Sequence, residues 1–396
     1  MKRILFTPGI AAVEALGSIT RLIAIADELK KKQDDLDIIF RTAGREADYA
    51  ISKGYKVELG YKPKFDFELM KKQKSNYAVD SLCDVIKVKG LYSKEYVQNT
   101  YQEEIKLIES FKPDIIFGEF ETVMPIAAKK MDIPYVSTGG TPNKRDFNCY
   151  GFKNDNDISK VYAESYNELL ESINLTPIKS ICEMNQDYNS SKIFVPSIPE
   201  LEDFEDNDKY VYLGSVTPHN FIETNFSLEK KRPLIYVYLS VGELKPDVYQ
   251  KIILDTFEGS EFDVVVTGGG VPRFIEKEKN NVHFLSMVPS DKILEKADIA
   301  IHHGGQNTTV ECIEYKVPSL IFPGRHFERF YNAEKASEIG CALNLKVDSF
   351  NKEELLDNCK KIMKNEDCKK ALNKYSLKIK SYGGAARAAE LLLNLI

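Results

Sequence analysis

The stretch His303-Gly304-Gly305-Gln306-Asn307-Thr308-Thr309-Val310-Glu311 combines the residue types needed to hold a large anion. It follows the apolar run Ile299-Ala300-Ile301 and precedes a helical pattern that stops before Val317-Pro318. A strand is therefore expected to pass through a glycine turn into a helix. The free amides at a helix start carry about half a positive charge and point at whatever lies there. Two glycines let an anion approach the backbone closely, and a histidine at the strand end adds a donor. A diphosphate suits these groups, so nucleotide binding is the first hypothesis. The local alternative is a capping box, with Thr308 at the cap and Glu311 reaching back. A histidine after a strand can also be only a satisfied buried side chain.

A second cluster, Pro323-Gly324-Arg325-His326-Phe327-Glu328-Arg329-Phe330-Tyr331-Asn332-Ala333, follows the next expected strand. Open parallel sheets bind ligands at the carboxyl ends of their strands. The cluster thus sets a carboxylate and two guanidiniums beside the proposed phosphate site, where a carboxylate can accept sugar hydroxyls. Standing alone, it reads as an exposed ion-paired loop.

These groups need a scaffold of alternating strands and helices. The pattern predicts strands at Arg3–Thr7, Leu36–Arg41, Tyr55–Leu59, Asp114–Gly118 and Pro134–Ser137, with helices at about 17–32, 44–53, 95–111 and 122–131. Residues 62–93 and 142–158 read as an insertion and a polar loop. The alternation restarts at Leu234–Leu239, with strands at Phe262–Thr267, Val282–Leu285, Asp298–His302 and Ser319–Phe322. Helices are expected there at about 246–257, 290–296, 307–316 and 331–339. The fold class is α/β: two doubly wound units with parallel sheets covered on both faces, facing across a cleft. The expected domains are 1–220 for the acceptor, 221–380 for the donor, and 381–396 as a helix returning to the first, with the linker at about 215–232.

Composition narrows the class. The 396 residues are 43% hydrophobic, with 21 Phe and 21 Tyr, enough for two cores. A net charge of -6 argues against a general nucleic-acid binder. Seven cysteines without CxxC or zinc-type spacing read as reduced, buried thiols in a cytoplasmic protein. The opening MKRILFTPGIAAVEALGS mimics a signal peptide, but Pro8 and Glu14 interrupt it, and a buried first strand is the better reading. No apolar run is long enough to span a bilayer.

The motif His303-Gly-Gly-x-Asn-Thr-Thr-x-Glu311, then Val317-Pro318, Pro323 and Asn332-Ala333, resembles the donor motif of GT-B glycosyltransferases of the UDP-glycosyltransferase family. That group includes macrolide and plant natural-product transferases. Arg232-Pro233 with Leu234–Leu239 resembles the opening strand of their donor domain. Met287-Val288-Pro289 with Ile293-Leu294 resembles the base-binding loop, and Tyr382-Gly383-Gly384-Ala385 the break before the last helix. Pro113–Glu119 and Ile133-Pro134-Tyr135 resemble part of the acceptor domain. The resemblance implies that His303 and the amides near Gly305, Gln306, Asn307 and Thr308 hold the diphosphate. It implies Glu311 on the ribose, the Val288 backbone on the base, and Glu328 on donor-sugar hydroxyls. Arg329 replaces the family's usual glutamine, either to suit an acidic sugar or to pair with Glu328.

The first domain departs from the family. Glycosyl transfer needs a group to take the acceptor's proton and another to stabilise the leaving diphosphate. The family's base is a histidine in a Gly-His turn, oriented by an acidic residue. This chain has Gly17-Ser18 there, and all five histidines lie after residue 218. Glu119 occupies the region of the acidic partner, and Glu14 is a second candidate; burial can raise a carboxylate toward working pH. Ser18 is a poor base that would contact substrate or cap the helix. Three readings stay open: a carboxylate base, an acceptor needing little activation, or a protein that only binds sugar nucleotide.

Asp155-Asn156-Asp157 and Asp206-Asn207-Asp208 match the DxD pattern of metal-dependent sugar transferases but fall in polar stretches, so no metal is expected. Gly268-Gly269-Gly270 is a flexible turn that could border the donor. Phe65, Phe67 and Tyr77 are candidates for an acceptor pocket, or simply for a packed insertion. The expected function is inverting, metal-independent transfer from a UDP- or dTDP-sugar, as co-substrate, to a small, partly apolar acceptor. No cofactor is expected, and a homodimer is allowed. The rivals are a lipid-acceptor transferase at the membrane face, a non-catalytic sugar-nucleotide binder, and a nucleotide-sugar epimerase.

Overall fold

The structure, a computed structural model, describes all residues except 10–15, 65–77, 154, 206–207, 218–228, 240–241, 269–273 and 287, and the side chain of Cys149. The chain divides into two compact units. One contains most of the chain before Pro218 together with Tyr382–Ile396; the other contains Pro218–Ser381.

The first unit carries β1 (Lys2–Pro8), β2 (Leu36–Thr42), β3 (Lys56–Leu59), β4 (Ile115–Glu119), β5 (Tyr135–Thr138), the hairpin β6 (Asn148–Cys149) and β7 (Phe152–Lys153), β8 (Lys192–Val195) and β9 (Tyr210–Tyr212). Seven of them form a sheet in the order β3-β2-β1-β4-β5-β8-β9, every neighbour parallel. The central strands read as unbroken apolar runs because helices cover both faces: Ile4, Leu5, Phe6, Ile115, Ile116 and Phe117 are all fully buried. Helix Gly17–Lys32 packs Ile19, Leu22 and Ile23 into the same core as Ala388, Ala389 and Leu392 of the last helix, Gly384–Asn394. The turn before that helix needs glycine. Gly383 and Gly384 both have positive φ, and a Cβ on Gly384 would lie 2.5 Å from the Ser215 carbonyl oxygen.

The second unit carries β10 (Leu234–Tyr238), β11 (Asp263–Thr267), β12 (Lys277–Lys279), β13 (Val282–Leu285), β14 (Ile299–His302), β15 (Ser319–Ile321) and β16 (Ala342–Asn344). Their order is β12-β13-β11-β10-β14-β15-β16, parallel apart from the edge strand β12. In both sheets the order reverses beside the first strand, between β1 and β4 and between β10 and β14. Such reversals open a crevice at the carboxyl ends of the two strands.

Several expectations need correction. Residues 62–93, read as an insertion or loop, contain helix Leu82–Val88, capped reciprocally by Ser81 and Asp84. Residues 142–158 hold the β6–β7 hairpin and the start of helix Asn156–Ser172. The first DxD run is that helix's start: the Asp155 carboxylate accepts from the amides of Asp157 and Ile158 at 3.1 and 3.0 Å. The second run includes residues outside those described, as do Glu14, Phe65, Phe67, Tyr77, Met287, Gly269 and Gly270. Strands β8, β9, β12 and β16, of three or four residues each, were not anticipated.

Candidate functional site

In the second unit, β14 delivers His303 to the crevice beside β10, where Tyr238 pairs with His302. Gly304 turns the chain at φ +87°, and a Cβ there would lie 2.7 Å from the Arg329 carbonyl oxygen, so only glycine fits. The Asn332 side-chain amide donates to the Gly304 carbonyl at 2.9 Å, tying the turn to helix Phe327–Glu338. Gly305 is the N-cap of helix Gln306–Glu314, which has no side-chain cap. The capping box weighed as the local alternative does not form: Thr308 lies inside the first turn and Glu311 deeper still, because the Gly-Gly turn starts the helix earlier. The amides of Gln306, Asn307 and Thr308 are the helix's leading donors. A Cβ on Gly305 would come within 3.2 Å of His303 Nε2, so this glycine leaves the imidazole edge uncovered.

A shallow cleft open to solvent is lined by Leu239, Glu243, His303, Phe322, Pro323 and Arg329, among others. These residues follow β10, β14 and β15, the strands around the reversal. Burial first, then the nearby Arg329 and the His302 and His326 rings, holds His303 well below the usual histidine range. A hydrogen bond with the Tyr238 backbone opposes them by favouring the protonated ring, so the ring donates it, to the Tyr238 carbonyl. His302 accepts from the Gly304 amide at Nδ1, 3.1 Å away, which leaves its proton on Nε2. Burial pushes it down to about 3. The glycine turn is thus bordered by neutral imidazoles, with the Arg329 guanidinium near His303.

Glu311 is buried and accepts from the Ser290 hydroxyl at 3.2 Å. Ser290 follows Val288-Pro289, so the segment expected to meet the base is joined to the carboxylate expected to meet the ribose. The Val288 side chain is in the core with Ile293 and Leu294, leaving its backbone for any ligand. Glu328 and Arg329 lie half-buried in the first turn of helix Phe327–Glu338, Arg329 facing the cleft.

In the first unit, Glu119 ends β4 opposite Pro8 of β1, at that sheet's reversal. It is buried, and its Oε1 lies 3.4 Å from Arg21 Nη1 on helix Gly17–Lys32. Its Oε2 is buried without a hydrogen-bond partner among the described residues. Ser18 is half-buried in the first turn; it does not cap the helix, whose N-cap is Leu16. Three more carboxyls gather here. Glu46 accepts from Thr42 Oγ1 at 3.0 Å; burial raises it to about 8, against Thr42 and Lys89, with Glu119 adding to the rise. Burial raises Glu104 to about 7 despite Arg41 Nε at 3.0 Å, and lifts Glu121 well above the carboxylate range.

Comparison with known proteins places this geometry. Residues 254–381 match the family model of the erythromycin biosynthesis protein CIII-like C-terminal domain. NDP-glycosyltransferase YjiC of Bacillus subtilis is 22% identical over 290 residues, covering 72% of this chain and 73% of that protein. Demethyllactenocin mycarosyltransferase of Streptomyces fradiae is 20% identical over 410 residues, covering 96% and 85%. The calicheamicin glycosyltransferase CalG4 superposes with a TM-score of 0.74 at 19% identity, covering 100% of this chain and 98% of that one. Spinosyn rhamnosyltransferase SpnG complexed with thymidine diphosphate gives 0.71 at 14% identity, covering 98% and 99%. The chain has the GT-B fold and is related to glycosyltransferases.

Within this GT-B chain, His303 and Arg329 are the sequence-named donor candidates that line the cleft, and sequence reasoning missed the residues that hold them. Asn332 was noted only as part of a motif, and the roles of His302, Ser290 and Glu243 were not foreseen. Glu243 accepts from the Arg325 amide at 3.2 Å, from the loop after β10. In the first unit the missed residues are Arg21, Glu46, Glu104 and Glu121. Arg21 alone had a readable signal, being one helical turn beyond Ser18 on the same face.

Proposed function

We propose that this protein is an inverting, metal-independent glycosyltransferase. It moves a sugar from a UDP- or dTDP-sugar to a small, partly apolar acceptor, in the cytoplasm. One observation carries the reading: the Gly304–Gly305 turn starts a helix directly after His303, and His303 lines a cleft together with Arg329. The glycosyltransferase relatives and the thymidine diphosphate bound to SpnG support it. In this reading the acceptor oxygen attacks the anomeric carbon as its bond to the diphosphate breaks. The leaving electron pair is received by the helix amides, His303 and Arg329. Glu119 takes the acceptor proton, and Ser290–Glu311 holds the ribose. Glu14 is the alternative base, and Glu328 the contact to the sugar.

A second reading, binding without transfer, is favoured by Ser18 in the histidine position and by the Arg21–Glu119 pair. A thermal-shift screen of UDP- and dTDP-sugars tests the shared step: ligand at about 100 times Kd adds about 2.7 kcal/mol to apparent stability. Product analysis with the stabilising donor and a panel of small phenolic and aliphatic acceptors then decides. Stabilisation without transfer or donor hydrolysis leaves the second reading; no stabilisation by any donor removes both.

A further inference from the structure

Cys83 lies in helix Leu82–Val88, and Cys182 immediately precedes the short helix Glu183–Gln186. They are 99 positions apart in sequence, yet their sulfurs are 3.7 Å apart. Both are buried, at 2% and 0% exposure. Cys83 Sγ also lies 4.0 Å from the carbonyl of Asp155, the cap of helix Asn156–Ser172, so the two sulfurs sit where three helices begin. A free cysteine is often only a small apolar filler. Two sulfurs in direct contact are also placed to react with each other, since forming a disulfide closes that contact to about 2.05 Å.

We propose that Cys83 and Cys182 are an oxidation site that closes into an intramolecular disulfide. With hydrogen peroxide as oxidant, the Cys182 sulfur attacks one peroxide oxygen and the O–O bond breaks. The released hydroxide takes up the thiol proton as water, leaving a sulfenic acid. The Cys83 sulfur then displaces that hydroxyl; the S–S bond forms and a second water leaves with the Cys83 proton. Two thiols are oxidised and one peroxide is reduced to two waters. Either sulfur can donate in their contact, so the two can exchange roles and the product is the same disulfide. The bond would join helix Leu82–Val88 to the Ile181–Glu183 segment across a loop long enough to restrict the unfolded chain strongly.

The test uses the native, full-length protein treated with hydrogen peroxide, then alkylated in denaturant and digested with trypsin without reductant. The expected product is peptide Ser75–Lys87 joined to Ser180–Lys192, lighter than the two free peptides by two hydrogens, with a higher melting temperature for the oxidised protein. Cys83→Ser should abolish the joined peptide. Recovery of both peptides alkylated at Cys83 and Cys182, while other cysteines are oxidised, would overturn the proposal. So would a link that forms only in denatured protein. Should Cys83→Ser fail to fold, the wild-type peptide map decides by itself.

Discussion

Glu46→Gln isolates the electrostatics of the first unit's buried carboxyls. Glu46 is 1% exposed, and burial outweighs both Thr42 and Lys89 to raise it from 4.5 to about 8. A carboxyl raised on folding binds more protons folded than unfolded between those two values. Its contribution to stability is therefore fully present below pH 4.5 and is lost as pH rises through 8. Each pH unit inside the window removes about 1.4 kcal/mol, so the loss reaches about 3 kcal/mol by pH 7 and about 5 kcal/mol by pH 9. Glutamine keeps an oxygen for the Thr42 hydroxyl and carries no ionisable proton. The variant should nearly match the wild type at pH 5 and become the more stable protein as pH rises. Near neutrality the gap should be about 3 kcal/mol, or about 6–12 °C for a unit of this size. Scanning calorimetry of both proteins from pH 5 to 9 measures it. Glu104 and Glu121 remain in both chains, so the difference curve reports Glu46. Parallel curves across that range would mean that Glu46 is ionised in the folded protein and that the burial argument is wrong.

His303→Ala should weaken nucleotide-sugar binding by ten-fold or more. Because the ring is neutral and already donates to Tyr238, a second N–H toward a diphosphate oxygen requires proton uptake. Wild-type donor affinity should then fall as pH rises from 6 to 8, by up to about ten-fold per unit, while the alanine variant stays flat in titration calorimetry. Gly304→Ala meets both a left-handed backbone and the Arg329 carbonyl; it should cost the second unit about 1–3 kcal/mol in denaturant unfolding and reduce donor affinity. Asn332→Ala frees the Gly304 carbonyl from its side-chain tie and should cost about 1 kcal/mol, read by the same melt. Glu119→Gln should lower turnover about 10²–10⁴-fold with donor affinity unchanged; equal turnover would leave Glu14 or no protein base.

The strands that carry the site were legible because each is a short β-branched or aromatic run bounded by turn residues. Val282–Leu285 is found as expected, and the other anticipated strands shift by a residue or so at either end. Helices Gly17–Lys32 and Pro246–Phe257 match in full because their apolar period is uninterrupted. What escaped was marked by neither period nor length. Strand β16 has three residues and only its first is buried. Helix Leu82–Val88 has one apolar face of Leu82, Cys83 and Ile86, too short to reveal a period, although its Ser81–Asp84 cap was readable. The capping box read at Thr308 failed for a related reason: threonine and glutamate three apart fit a cap anywhere, and the two preceding glycines decide where the helix begins.

The same contrast separates the two candidate sites. The glycine turn proposed to hold the diphosphate is made by consecutive residues, His303 to Thr308, so side-chain types report directly on local conformation. The carboxyl group of the first unit is drawn from four elements: Glu46 after β2, Glu104 in helix Lys94–Phe111, Glu119 at the end of β4 and Glu121 just beyond it. No spacing rule joins them; only the strand order β2-β1-β4 does. Each looks like an ordinary surface glutamate in sequence, and it becomes unusual only when folding removes its water. The base of the proposed transfer therefore cannot be chosen by residue type alone. Glu119 has a guanidinium beside one oxygen and no described partner for the other, while Glu46 is an acid at neutral pH with Glu119 in its field. In the proposed transfer Glu119 is the one of the two given the acceptor's proton, and a protonated Glu46 beside it carries no competing charge.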